Sequence, residues 1–123
     1  YTTSNAIYQL SKVANREKPS FLHWLDTYEY KQLQLPKPDA VIYLDMPVEV
    51  SQQLLAKRYN GDENKKDLHE KNFEFLKECR NSALYAAQIL NWNVVSCARN
   101  GKPRSIEDIS DEVFELAKRE AEL

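Results

Sequence analysis

The stretch that most constrains the fold is Ala40-Val41-Ile42-Tyr43-Leu44, an unbroken apolar run set between Pro36 and Pro38 on one side and Asp45 and Pro47 on the other. A strand with one wet face alternates apolar and polar residues. A continuous run calls for cover on both faces, as in a parallel sheet sandwiched by helices. The two prolines before it hold the chain extended. Pro47 stands where a helix can begin, because its missing N–H would be unsatisfied there anyway. The run therefore predicts an α/β fold.

The flanking segments supply the helices. Ser4 to Ala14 has Ile7, Leu10 and Ala14 at helical spacing, and Ser20 to Leu33 places Phe21, Trp24, Leu25 and Tyr28 on a side, with Ser20 as N-cap. Val50, Leu54 and Leu55 give the helix after Pro47 its apolar side. Tyr59 to Lys66 reads as a polar surface loop. Asp67 and Glu70 then form an acidic version of a capping box, opening a helix to about Leu90. Its expected buried stripe is Leu76, Cys79, Ala83, Ala86, Ala87 and Leu90. Trp92 to Cys97 predicts a second strand, and Arg99 to Pro103 a turn. Ser105 and Asp108 cap a last helix whose apolar face is Ile106, Ile109, Val113, Leu116 and Ala117. Two buried-type strands cannot cover that many helix faces and would leave open edges. The expectation is thus one domain over 1–123 whose further strands lie before Tyr1 or in another chain.

Composition excludes several classes. A formal net charge of −2 with 29% charged residues gives neither a nucleic-acid footprint nor an electrostatic membrane binder. No apolar run approaches the roughly 20 residues that span a bilayer. Cys79 and Cys97 sit in a helical and a strand pattern, which predicts buried apolar thiols and a cytoplasmic setting rather than a disulfide. Only Gly61 and Gly101 can relax a tight turn, and no GxxxxGK[ST], GxGxxG or GxSxG pattern occurs.

Three places can carry chemistry. Tyr1 to Gln9 gathers short polar side chains and two tyrosines, with Asn5 and Gln9 one helical turn apart. Amides there can read a polar ring and an aromatic can pack on it; the same residues equally make a helix start with packing tyrosines. Lys57, Arg58 and the polar loop up to Lys66 can close over phosphate, or form a solvated helix end. His69 beside Asp67 and Glu70 has spacing that converges poorly on a metal. Finally, Asn100, Gly101 and Lys102 follow the second strand, at the strand end where ligands of open α/β sheets bind, or simply connect it to the next helix.

These segments together resemble thymidylate kinase: the Tyr1 to Gln9 start with Ser4-Asn5, Leu35-Pro36-Lys37-Pro38-Asp39 running into Tyr43-Leu44-Asp45, and Trp92 followed by a strand and Ser105-Ile106-Glu107-Asp108. The order and spacing agree over essentially the whole chain. The resemblance implies a doubly wound, three-layer α/β/α P-loop kinase with a parallel sheet, acting as a homodimer. It implies transfer of the γ-phosphoryl group of ATP to dTMP, with Mg²⁺, giving dTDP. By the same resemblance Ser4, Asn5, Tyr8 and Gln9 contact dTMP, Asn5 near the base and Tyr8 where its bulk disfavours a 2′-hydroxyl. Arg58 becomes the catalytic cation at the entrance to a lid at about 58–67. Asp67 and Glu70 order that lid, and Asn100, Gly101 and Lys102 lie near the adenine of ATP. The phosphate loop that would hold ATP and Mg²⁺, and an Asp-Arg pair expected just before Tyr1, are not in this sequence, so this stretch alone is expected to be inactive. No arginine stands between Arg58 and Asp67. Alternatives are another nucleotide kinase of this fold, or a non-catalytic helical interaction module.

Overall fold

The computed structural model describes the backbone of residues 1–58 and 63–122, and the side chains of 1–58 and 72–122. The fold is mixed α/β. Helix α1 covers Thr2–Tyr8 and runs into a 3₁₀ turn at Leu10–Lys12. A second 3₁₀ turn at Asn15–Glu17 leads into α2, Lys18–Asp26, which continues as a π-helical turn over Thr27–Gln32. Strand β1 is Ile42–Asp45 and helix α3 is Val48–Arg58. The long α4 spans Glu63–Ile89 and delivers the chain to β2, Asn93–Ser96. A two-residue hairpin of β3 (Ala98–Arg99) and β4 (Lys102–Pro103) precedes α5, Ile106–Ala121.

Strands β1 and β2 pair in parallel, Ile42 opposite Asn93 through Asp45 opposite Ser96, as the continuous apolar run requires. Among the described residues no further strand joins them. Leu44 and Val94 are accordingly 51% and 44% exposed while Val95 is fully buried.

The main core lies between α1, α2 and α4. Ala6 and Leu10, Leu22 and Leu25, and Ala86 form it, with Trp92 and Tyr85 packed against them. Ala6 and Ala86 are fully buried where α1 meets α4, and neither brings bulk beyond its own Cβ. Both cysteines are buried and free.

Several expected faces are rotated or shifted. On α1 the buried positions are Thr2, Ala6 and Leu10, four apart, whereas Ala14 is exposed. On α2 they are Leu22, Leu25 and Glu29, so Trp24 and Tyr28 face outward and stack on each other at 5.3 Å. Ser20 is inside α2 rather than its cap. The helix starts at Lys18 because Pro19, with φ already helical, suits the first turn. Leu54 is 40% exposed on α3. Residues 63–66, expected as loop, are helical, consistent with a Glu-Asn-Lys-Lys run free of Gly, Pro and β-branched residues. Asp67 is therefore inside α4 and not at its N-cap. On α5, Ile106 is 82% exposed and Ala117 is exposed, leaving Ile109, Val113 and Leu116 half-buried.

Helix α5 is fixed to the sheet by one arginine. Ser105 caps it by accepting from the Asp108 backbone N–H at 3.1 Å. Arg104, its side chain 8% exposed, donates to Asp108 at 2.8 Å, to Glu112 at 2.6 Å and to the Ser96 carbonyl at 2.6 Å. The hydrogen bond from Arg104 holds the Asp108 carboxyl below its ordinary 3.8. A lowered carboxyl adds stability at pH values above the unfolded pKa, and that stability disappears as pH falls through the lower folded value. Thermal melts should therefore drop as the pH is taken below 3.8, and Asp108→Asn should flatten that part of the profile. An unaltered acid limb in Asp108→Asn would remove this latch from the account.

Candidate functional site

Helix α1 gathers four of the expected ligand contacts. Ser4 and Gln9 are exposed, Tyr8 is 51% exposed and Asn5 is half-buried. The residue that organises them is Glu29, which sequence reasoning passed over. Its side chain is buried, at 5% exposure, and accepts hydrogen bonds on both oxygens, Oε1 from Asn5 Nδ2 at 2.7 Å and Oε2 from the Thr2 hydroxyl. Buried carboxylates need such partners, since removing one from water unpaired is costly.

The π turn is what delivers Glu29. The Leu33 N–H reaches back five residues to the Tyr28 carbonyl at 2.9 Å, and Leu35 N–H bonds the Glu29 carbonyl at 3.0 Å. Gln34 turns the chain with φ 54 in the left-handed region. Isolated π turns recur at functional sites because they re-aim a side chain without ending the helix. The Tyr1 hydroxyl donates to the Pro36 carbonyl at 2.5 Å, and its ring meets Tyr30 edge-on at 6.3 Å, so the start of α1 is tied to the proline segment. A signal for Glu29 was present: it falls seven residues after Leu22 and four after Leu25, on the same helix face.

The carboxyl end of β1 carries a second charged feature. Asp45 closes the strand and receives a bidentate pair from Arg80 of α4, Nε to Oδ1 at 2.7 Å and Nη2 to Oδ2 at 2.9 Å. The hydrogen bonds from Arg80 to Asp45 raise the guanidinium above its ordinary value. Tyr43 is pushed up by burial and then by the Asp45 charge, against the opposing effect of Arg80. Arg80 was not legible because its partner is 35 residues away.

The remaining candidates stand apart. Arg58 is exposed at the end of α3 beside Lys57, where cations complement the helix dipole. Part of the expected lid, 59–62, lies outside the described residues, as do the side chains of Asp67 and Glu70 and of Lys65, Lys66 and His69. Asn100, Gly101 and Lys102 form not a strand-to-helix connection but a hairpin tip. Asn100 and Gly101 have φ 55 and 72, the paired left-handed values of a type I′ turn, for which Asn-Gly is the strongest sequence signal. A Cβ on Gly101 would meet nothing within 4 Å, so glycine serves conformation there and not close approach.

Two features do not make sites. A cleft of about 200 Å³ between Thr2, Asp26, Tyr30, Lys37 and Trp92 borders Ala40 and Val41, ahead of β1 and at the wrong strand end for a sheet ligand. Among the described residues no group of three or more His, Cys, Asp or Glu could hold a metal, and Asp45 is engaged by Arg80. The described residues therefore do not fit Mg²⁺, and no step through it is derived for them. No helix among them is long and apolar enough to cross a membrane.

Removing one member of the Asp45–Arg80 pair leaves its partner's charge partly buried. Arg80→Met should cost about 1–3 kcal/mol in urea unfolding, with most of that loss recovered in Arg80→Met/Asp45→Leu. Equal losses in the single and double variants would show that the pair is ornamental. Compared with protein-family models, curated proteins and solved structures, the chain matches none.

Proposed function

We propose that this chain forms the acceptor side of a thymidylate kinase, a P-loop kinase of doubly wound α/β fold that passes the γ-phosphoryl group of ATP to dTMP. The observation that carries the reading is on α1. A side-chain amide held by a buried carboxylate stands three residues before an exposed tyrosine ring. An amide of fixed direction reads one donor–acceptor pattern, and an aromatic face packs against a flat ring or a sugar. A pyrimidine nucleotide presents both.

In this reading Asn5 meets the base, Tyr8 the base and sugar, and Ser4 and Gln9 line the approach. Arg58 brings a fixed fork of donors to the transferring phosphate, and Asn100, Gly101 and Lys102 flank the adenine of ATP. Asp67 and Glu70 order the segment between α3 and α4. Phosphoryl transfer depends on positioning and charge neutralisation. The ATP phosphates need a glycine-rich cradle that these 123 residues do not supply. Two copies pair in the working enzyme. The outward Trp24–Tyr28 stack favours a second reading, a helical module that docks a partner protein and transfers nothing.

The test is turnover of dTMP, dUMP, dCMP and dGMP with ATP by the protein that carries this chain. The expected result is a preference for dTMP, with Arg58→Ala lowering kcat by about a thousandfold and Arg58→Lys restoring little. Preference for another base would transfer the assignment to a different nucleotide kinase, and absence of any turnover would favour the docking module.

A further inference from the structure

We infer that Glu29 is a positioning residue that sets which base the α1 site accepts, by fixing the direction of the Asn5 amide. This rests on the nucleotide reading of α1 given above. An ionised carboxylate only accepts hydrogen bonds, so the Asn5 group that faces it must be the NH₂. The geometry agrees, with Nδ2 at 2.7 Å from Oε1. Thr2 occupies the other oxygen, which leaves Glu29 no position from which to tolerate a flipped amide.

The consequence falls on Oδ1. It is the free end of a held amide, and among the described residues no donor bonds it. Presented to a ligand, it is an acceptor and selects a ring N–H. Thymine and uracil carry a hydrogen on N3, whereas N3 of cytosine is itself an acceptor, so cytosine meets two opposed lone pairs. Sites built to hydrogen-bond a substrate group reject an analogue lacking it far more strongly than apolar pockets do. The selection belongs to Glu29, because an asparagine alone presents either end.

Replacing the carboxylate by its amide separates this role from simple support. In Glu29→Gln the new side chain can accept from Asn5 and face Thr2 with its NH₂, or donate to a flipped Asn5 and accept from Thr2. Both arrangements satisfy all the partners, so the bias disappears. The ratio of kcat/KM for dTMP over dCMP should fall about tenfold or more, with kcat/KM for dCMP rising in absolute terms. A residue that merely braced the fold would lower both substrates together, and a parallel loss or an unchanged ratio would overturn the inference. A second measurement needs no variant and no turnover. In the unaltered protein the two Asn5 side-chain amide protons should be widely separated and slow to exchange, one being bound to a carboxylate. Averaged, fast-exchanging protons would overturn the inference even if dTMP is phosphorylated. Separated protons in a protein that turns over no nucleotide would defeat the kinase reading while leaving the Glu29–Asn5 geometry in place; the inference about base choice would fall with that reading.

Discussion

A carboxyl group inside an apolar helix face is the interaction on which the α1 side of this molecule depends. Glu29 sits in register with Leu22 and Leu25, whose side chains are 2% and 3% exposed, yet it brings a carboxylate into the same layer. It is tolerated because α1 meets it with two donors, Thr2 and Asn5, from successive turns. Helix α1 is only seven residues long and would be marginal alone. Its attachment to α2 and α4 gives it a single orientation. That orientation in turn decides which side chains remain outside: Ser4, Tyr8 and Gln9.

The same economy of contacts appears at the sheet. The parallel pair of β1 and β2 is short, and each strand is tied to a helix by an arginine. Arg80 of α4 grips the end of β1 through Asp45, while Arg104 grips the end of β2 through the Ser96 carbonyl and then α5 through Asp108 and Glu112. Both arginines act at the carboxyl ends of the strands, where the backbone leaves the sheet and helices must be held in place. Their geometry is that of rigid forks, which lysine would not reproduce.

Much of the element order was legible in the sequence, because it rests on local rules. The apolar run at 40–44 specified a strand that pairs in parallel, though Leu44 stays 51% exposed instead of covered; Ser105 with Asp108 specified the start of α5, and the alanine-rich stripe of α4 is buried at Cys79, Ala83, Ala86 and Ala87. The helix at 63–66 differs from the loop that its polarity suggests, because polarity does not break a helix. The faces of α2 were misjudged for a more instructive reason. The face holding Leu22 and Leu25 also carries Glu29, and a glutamate does not look like a core residue until its donors, 24 and 27 residues earlier, are brought alongside. The Asn-Gly pair at the hairpin tip carries a local signal as well, because both residues take left-handed φ there. Arg80 could not be read, since its acceptor lies 35 residues away, whereas Arg104 stands one helical turn before Asp108, a spacing that sequence can show.

If the Glu29 carboxylate is the keystone of α1, its energy must be shared with the groups that donate to it. The most direct measurement is a double-mutant cycle in urea unfolding, with Thr2→Val, Glu29→Met and both together. The account predicts that the single changes are each destabilising and that the pair is coupled by about 1–3 kcal/mol, the double variant losing less than the sum. Additive losses, agreeing within about 0.3–0.5 kcal/mol, would contradict it.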